Sequence, residues 1–181
     1  MSKKILVLLA EGCEEIEAVT VIDVLRRAEF SVTAAGLHAG VLTASRGVKL
    51  EPDTTLDAVK PLDFDAIVVP GGYGGVQNLM ADTRVLDAIR ALHDAGRRVC
   101  AVCAGPLVLQ AAGILEGKRV TCYPGAAENL TATKFVNERV VVDGALITSQ
   151  GPGTSIAFAL EIVRQLGGAA LAQRVASGLL A

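Results

Sequence analysis

The chain has 181 residues, half of them hydrophobic (51%) but only 3% aromatic, and it has no Trp. That length suits one domain spanning residues 1–181 and is too short for two of ordinary size. The formal net charge is −2, and no basic run marks a nucleic-acid or anionic-lipid surface.

With so few aromatics, the core must come from Val, Leu, Ile and Ala, which suits a sheet covered on both faces by helices. Lys4 to Ala10 reads as a buried strand. The apolar run after Lys3 and Lys4 is short and leads into the acidic segment Glu11 to Glu17. No h-region or cleavage site follows, so the expected location is the cytoplasm. No stretch reaches the ~20 apolar residues of a membrane span.

Glu14 to Glu29 carries Ile16, Val19, Val24 and Ala28 at helical spacing. Glu14 and Glu15 suit the positive end of that helix. Glu17 lies one turn further, on the side of Cys13 and Val21, where it can point back over the strand ends. Ser31 to Leu37 reads as a strand, and Val41 to Leu50 as a β excursion turning at Ser45-Arg46-Gly47. Asp53 to Leu62 reads as a polar connector. Asp65 to Val69 is a buried strand that ends in Pro70-Gly71-Gly72-Tyr73-Gly74-Gly75. This glycine run lets backbone N–H groups face a site, or it is a flexible turn. It is neither a Walker loop nor a dinucleotide fingerprint.

Thr83 to Ala95 reads as an amphipathic helix, with His93 at its rim. Val99 to Pro106, V-C-A-V-C-A-G-P, reads as a strand stopping at Cys103, a turn at Ala104-Gly105, and a helix opened by Pro106 and running to Leu115. A thiol at such a turn sits beside free backbone N–H groups, so it is expected to ionise more easily than its reference pKa of ~8.5 implies. The alternative is a buried small hydrophobe. Arg119 to Tyr123 reads as another strand. Asp143-Gly144 joins two runs, Arg139 to Val142 and Ala145 to Thr148, as a hairpin. Gln150 to Gly153 is a turn, Thr154 is the expected cap of a helix to Leu166, and Ala169 to Leu180 is a last helix.

The chain has four cysteines. Cys100 and Cys103 on one strand would lie about 10 Å apart at ~3.3 Å per residue, too far for a disulfide. His38 and His93 show no ligand spacing with the cysteines, so no metal site is expected. Strands alternating with helices give an α/β domain with a mainly parallel sheet. Sites in such sheets lie outside the carboxyl ends of the strands. Cys103, the glycine run, Tyr123 and Pro152 all fall on that edge. Arg26, Arg27 and Arg46 are open to two readings, an interface or anion-binding rim and solvated surface charge.

Four segments, E-G-C-E-E-I-E-A-V-T, V-V-P-G-G-Y-G-G-V-Q-N-L, A-V-C-A-G-P and T-S-Q-G-P-G-T-S, resemble in order and spacing the ThiJ/PfpI superfamily. The match is to its branch holding the bacterial protein YajL and the parkinsonism-associated human protein. The resemblance covers the whole chain. It implies a flavodoxin-like three-layer sandwich of the class I glutamine amidotransferase type, forming a homodimer. It implies Cys103 as the reactive thiol and Glu17 as a protonated partner. The N–H groups of Gly72 and Ala104 would be the oxyanion hole, and Gly71, Tyr73, Tyr123 and Pro152 would line the site.

Activities of that branch are cofactor-free conversion of methylglyoxal and glyoxal to hydroxy acids (glyoxalase III), repair of glycated protein or nucleotide adducts (deglycase), oxidative-stress sensing through Cys sulfinate, and chaperone-like holding. This chain departs from its relatives twice. Ala104 follows the nucleophile where the protease-like members have His. Tyr123 stands where close relatives place a His, and a Tyr does not serve as a base near neutral pH. The resemblance therefore implies a thiol enzyme acting on small dicarbonyls, with a redox sensor as the rival. An amide hydrolase is the third reading.

Overall fold

The structure, a computed structural model, describes residues 2–131 and 133–181. The first apolar run forms β1 (Lys4–Leu9), and the Glu-rich segment after it forms α1 (Glu15–Arg27). β2 (Ser31–Gly36) follows, then a hairpin of β3 (Leu42–Thr43) and β4 (Lys49–Leu50), and an edge strand β5 (Thr54–Thr55). β6 (Ala66–Val69) leads into α2 (Tyr73–Ala81) and α3 (Thr83–Asp94), and β7 (Arg98–Val102) leads into α4 (Pro106–Ala111). Next come β8 (Arg119–Val120), α5 (Pro124–Ala127) and β9 (Lys134–Phe135). β10 (Val140–Asp143) and β11 (Leu146–Ser149) form the Asp143-Gly144 hairpin, and α6 (Ser155–Gly167) and α7 (Ala169–Leu179) end the fold.

The main sheet runs β10-β11-β7-β6-β1-β2-β5. Its neighbours are parallel except β10 and β11. Side chains alternate across it. Ile5, Val7, Val68 and Val102 pack with Val21, Leu25, Phe158 and Ile162 of α1 and α6. Leu6, Leu8, Ile67 and Ala101 pack with Val76, Leu79, Ile89 and Leu109 of α2, α3 and α4. The strand–helix alternation leads one to expect an α/β domain with a mainly parallel sheet, and the result is the flavodoxin-like three-layer sandwich that the family resemblance implies. β1 connects through α1 to β2 on one side and pairs with β6 on the other. The crevice beyond β1 and β6 is therefore the topological switch point.

Several elements differ from their sequence reading. The glycine run does not remain a turn, because α2 begins at Tyr73 and contains Gly74 and Gly75. Arg119 to Tyr123 is not one long strand. β8 stops at Val120 because the Thr121 N–H donates to Thr148 Oγ1 at 3.0 Å and the Tyr123 N–H donates to the Cys103 carbonyl at 2.9 Å. The helix after Pro106 ends at Ala111, with Gly113 in the left-handed region (φ 79°). Thr154 does not cap α6 with its side chain, since its hydroxyl oxygen accepts from the Gly151 N–H at 3.0 Å.

Gly75 explains how α2 docks. A methyl group there would lie 2.7 Å from Cys13 Cα and 2.8 Å from Cys13 N, both backbone atoms. Ala normally gains about 1 kcal/mol over Gly inside a helix. Overpacking against backbone costs about 1–3 kcal/mol and here outweighs that gain. Gly75→Ala is expected to lower the urea midpoint, with a net loss of stability of up to about 2 kcal/mol. An unchanged or raised midpoint would contradict this packing.

Candidate active site

β7 delivers Cys103 at its carboxyl end in the left-handed region, φ 62°. That conformation costs a non-glycine residue about 1–2 kcal/mol, and its neighbours hold it there. The Cys103 N–H donates to the Ser149 carbonyl at 3.0 Å, and the Gly105 N–H donates to the Val102 carbonyl at 2.8 Å. Of the four cysteines only Cys103 is partly exposed; Cys13, Cys100 and Cys122 are buried, and none forms a disulfide.

Glu17 lies one turn into α1 and is 0% exposed. Its Oε2 accepts from the Gly71 N–H at 2.7 Å, and its Oε1 has no hydrogen-bond partner. The Glu14 N–H in turn donates to the Gly71 carbonyl at 2.9 Å, tying the start of α1 to the end of β6. A methyl group at Gly71 would lie 2.5 Å from Cys103 Cβ, 2.6 Å from Glu17 Oε2 and 3.0 Å from Cys103 Sγ. Only glycine lets the chain pass that close to both groups. The next residue, Gly72, has φ 85° and no room for a Cβ.

Burial pushes the Glu17 carboxyl up to about 7, against the opposing pull of the Gly71 N–H and of Cys103. Burial also pushes the Cys103 thiol up, and the neighbouring Glu17 carboxylate adds to it, to about 12. The N–H groups of Gly72 and Ala104 pull in the other direction. The expectation of an easily ionised thiol therefore holds only while Glu17 keeps its proton. The turn supplies the donors, but burial and a like charge outweigh them while Glu17 is ionised. The two groups form one coupled unit, whose protons leave the pair in steps.

Cys103 opens into a groove of about 730 Å³, lined also by Gly72, Tyr73, Tyr123 and Pro152. The expected site residues thus gather at one place, with Glu17 and Gly71 behind the thiol. Sequence reasoning missed the opposite wall. The β3–β4 hairpin folds over the start of α1 and brings Thr43, Ser45 and Arg46 to the groove, facing Glu11 and Glu14. Ser45 Oγ lies 2.6 Å from a Glu14 oxygen and 2.8 Å from a Glu15 oxygen, and the Arg46 N–H donates to Glu15 at 2.8 Å. The turn signal at Ser45 to Gly47 marked the hairpin, but nothing local marked where it docks. Arg46 is at the groove, whereas Arg26 and Arg27 pair with Asp53 and Asp23 on the surface. Among the described residues, no group of three or more His, Cys, Asp or Glu is placed to hold a metal. Nor is any helix there long and apolar enough to cross a membrane.

Comparison with known proteins agrees with this geometry. The family model described as the DJ-1/PfpI family matches residues 3–165. The chain is 44% identical to Protein dj-1beta of Drosophila melanogaster, over 99% of this chain and 98% of that protein. The crystal structure of that protein superposes with a TM-score of 0.96. The Parkinson disease protein 7 homolog of Danio rerio is also 44% identical, over 98% of this chain and 97% of that protein. The Glutathione-independent glyoxalase DJR-1.2 of Caenorhabditis elegans is 38% identical, over 92% of this chain and 90% of that protein. The chain belongs to the DJ-1/PfpI family.

Proposed function

We propose that the chain acts as a single domain that converts small α-oxoaldehydes such as methylglyoxal to 2-hydroxy acids, through Cys103 and without a cofactor. The observation that carries this reading is a partly exposed thiol held against a buried carboxyl, at a turn where the N–H groups of Gly72 and Ala104 favour its ionised form. The similarity to a protein named as a glutathione-independent glyoxalase supports it.

Together Cys103 and Glu17 hold one negative charge near neutral pH, and in this reading it rests on sulfur. The N–H groups of both Gly72 and Ala104 favour the thiolate, while one backbone N–H, that of Gly71, donates to Glu17. The larger, softer thiolate also loses less by desolvation. The thiolate adds to the aldehyde carbon, and the N–H groups of Gly72 and Ala104 face the oxyanion. Glu17 first gives its proton to that oxyanion and then, as a carboxylate, takes the proton from the former aldehyde carbon and delivers it to the neighbouring carbon, which turns the hemithioacetal into the thioester of a 2-hydroxy acid. Water releases the acid and restores the thiol. The aldehyde carbon is oxidised and the ketone carbon reduced, so no external electron carrier is needed. Glycated protein or nucleotide adducts, which carry the same carbonyl-derived carbons, are a second substrate group for this chemistry.

A redox sensor is the second reading, favoured by one observation. Tyr123 places no basic ring at the mouth, so Glu17 is the titratable group held nearest the sulfur. Peroxide would take Cys103 to sulfenate and then sulfinate, with chaperone-like holding as the output. Under either reading we propose a cytoplasmic homodimer. Its contact would be the exposed apolar face of Ile16 and Val19 on α1 and Val48 in the hairpin.

Lactate formed from methylglyoxal, without added thiol or metal, tests the enzyme reading. Cys103→Ala is expected to abolish it, and Glu17→Gln to lower it by about 100-fold or more. Lactate formation that survives Cys103→Ala would overturn the reading. No turnover by the unaltered chain, with Cys103 alone gaining two oxygens under mild peroxide, would favour the sensor.

The pH dependence follows from the pair. Below about 7 both groups keep their protons; above it the pair carries one negative charge. The rate of Cys103 alkylation by iodoacetamide is therefore expected to rise as pH climbs through about 7. In Glu17→Gln the thiol still ionises, but that step should move away from about 7, because no carboxyl remains to exchange a proton with the sulfur. A step at the same pH in Glu17→Gln would contradict the coupling.

A further inference from the structure

We infer that Tyr73 and Tyr123 form an aromatic clamp over Cys103, selecting α-oxoaldehydes with a flat, uncharged apolar substituent over glyoxal. The inference rests on the reading of Cys103 as a nucleophile toward aldehydes. The chain has only two tyrosines and no Trp, and both tyrosines stand at this one mouth. They are 51% and 45% exposed, an unusual position for large aromatic side chains in a chain this poor in them.

Both side chains approach Gly125. A methyl group at Gly125 would lie 3.4 Å from Tyr73 Oη and 3.5 Å from Tyr123 Cε1. The opposite edge of the Tyr123 ring faces Gly151, where a methyl group would lie 3.4 Å from Cδ2. Each tyrosine is also anchored next to the nucleophile. Tyr73 follows Gly72, which lines the groove beside Cys103, and the Tyr123 N–H is bonded to the Cys103 carbonyl.

The groove, about 730 Å³, is in the range that holds ligands far larger than a three-carbon dicarbonyl. Its lining also holds two carboxyl residues, Glu11 and Glu14, against one cation, Arg46, and this excess of negative charge disfavours an anionic substituent. A neutral aryl group meets both conditions, offering π-faces to the tyrosines and no charge to the glutamates. One methylene in an apolar pocket discriminates by about 10–200-fold. A whole ring in a half-open clamp is therefore expected to give at least about tenfold.

Two measurements test the clamp. The first is the ratio of kcat/KM for phenylglyoxal to that for glyoxal, in the unaltered chain and in Tyr73→Ala, Tyr123→Ala and the corresponding Phe variants. The ratio should be about ten or more, fall by about tenfold in each Ala variant, and survive in the Phe variants. The second needs no turnover. Without Trp, tyrosine emission comes from these two side chains alone. It should respond to 1-phenyl-1,2-ethanediol at a concentration about tenfold lower than to 1,2-propanediol. Selective diol binding with no aldehyde turnover would sink the enzyme reading and leave the clamp standing. Turnover with a ratio near one, or with equal response to both diols, would overturn the clamp and leave the enzyme reading intact.

Discussion

A single carboxyl carried into the interior organises this molecule. Glu17 is fully buried, with one oxygen on the Gly71 N–H and the other without a partner. An ionised carboxylate in that position is costly unless it is paired or takes up a proton. The protein contains the cost with local geometry. The carboxyl sits at the switch point, where the start of α1 and the end of β6 are bonded to each other through Gly71. That same glycine lets Cys103 approach from β7. Glycine placement at Gly71 and the raised pKa of Glu17 are consequences of one packing problem.

The thiol inherits its character from that carboxyl. At the turn alone, two backbone donors would favour the thiolate. Beside an ionised carboxylate the thiol holds its proton, and beside a protonated one it is free to release it. The site therefore works as a unit of two acids and one mobile proton, and neither residue has a separate acidity. The groove wall repeats the theme at a distance. Ser45 lies within hydrogen-bond reach of both Glu14 and Glu15, yet one hydroxyl donates only one proton at a time. Negative charge thus lines the rim opposite the tyrosines, and Arg46 is the basic residue among the groove's lining.

Much of this was legible in the residues. The V-C-A-V-C-A-G-P run gave strand, elbow and helix because apolar continuity, a tight turn and Pro106 each act locally. The spacing of Glu17 from Cys13 and Val21 placed it on the buried face, and Asp143-Gly144 gave its hairpin. What was not legible depended on contacts far away in sequence. Tyr73-Gly74-Gly75 reads as a turn because glycine is a poor helix former, yet it opens α2 because Gly75 must meet the backbone of Cys13. β8 is short because the Thr121 and Tyr123 N–H groups find partners on β11 and at Cys103. The thiol's acidity was only half legible, because the turn that supplies its donors is local and the carboxyl that sets its proton is not. The short α5 and β9 gave no periodic signal.

The central claim is that the one charge shared by the pair above neutrality rests on sulfur, with the proton on Glu17. Infrared spectroscopy reads both partners, the carboxylic C=O stretch of Glu17 and the S–H stretch of Cys103. Each band is assigned by its loss in Glu17→Gln or Cys103→Ala. On this account, as pH rises from about 6 to about 9, the Cys103 S–H band fades and the Glu17 carboxylic band persists. If the carboxylic band fades and the S–H band persists, the charge rests on the carboxylate and the account is wrong.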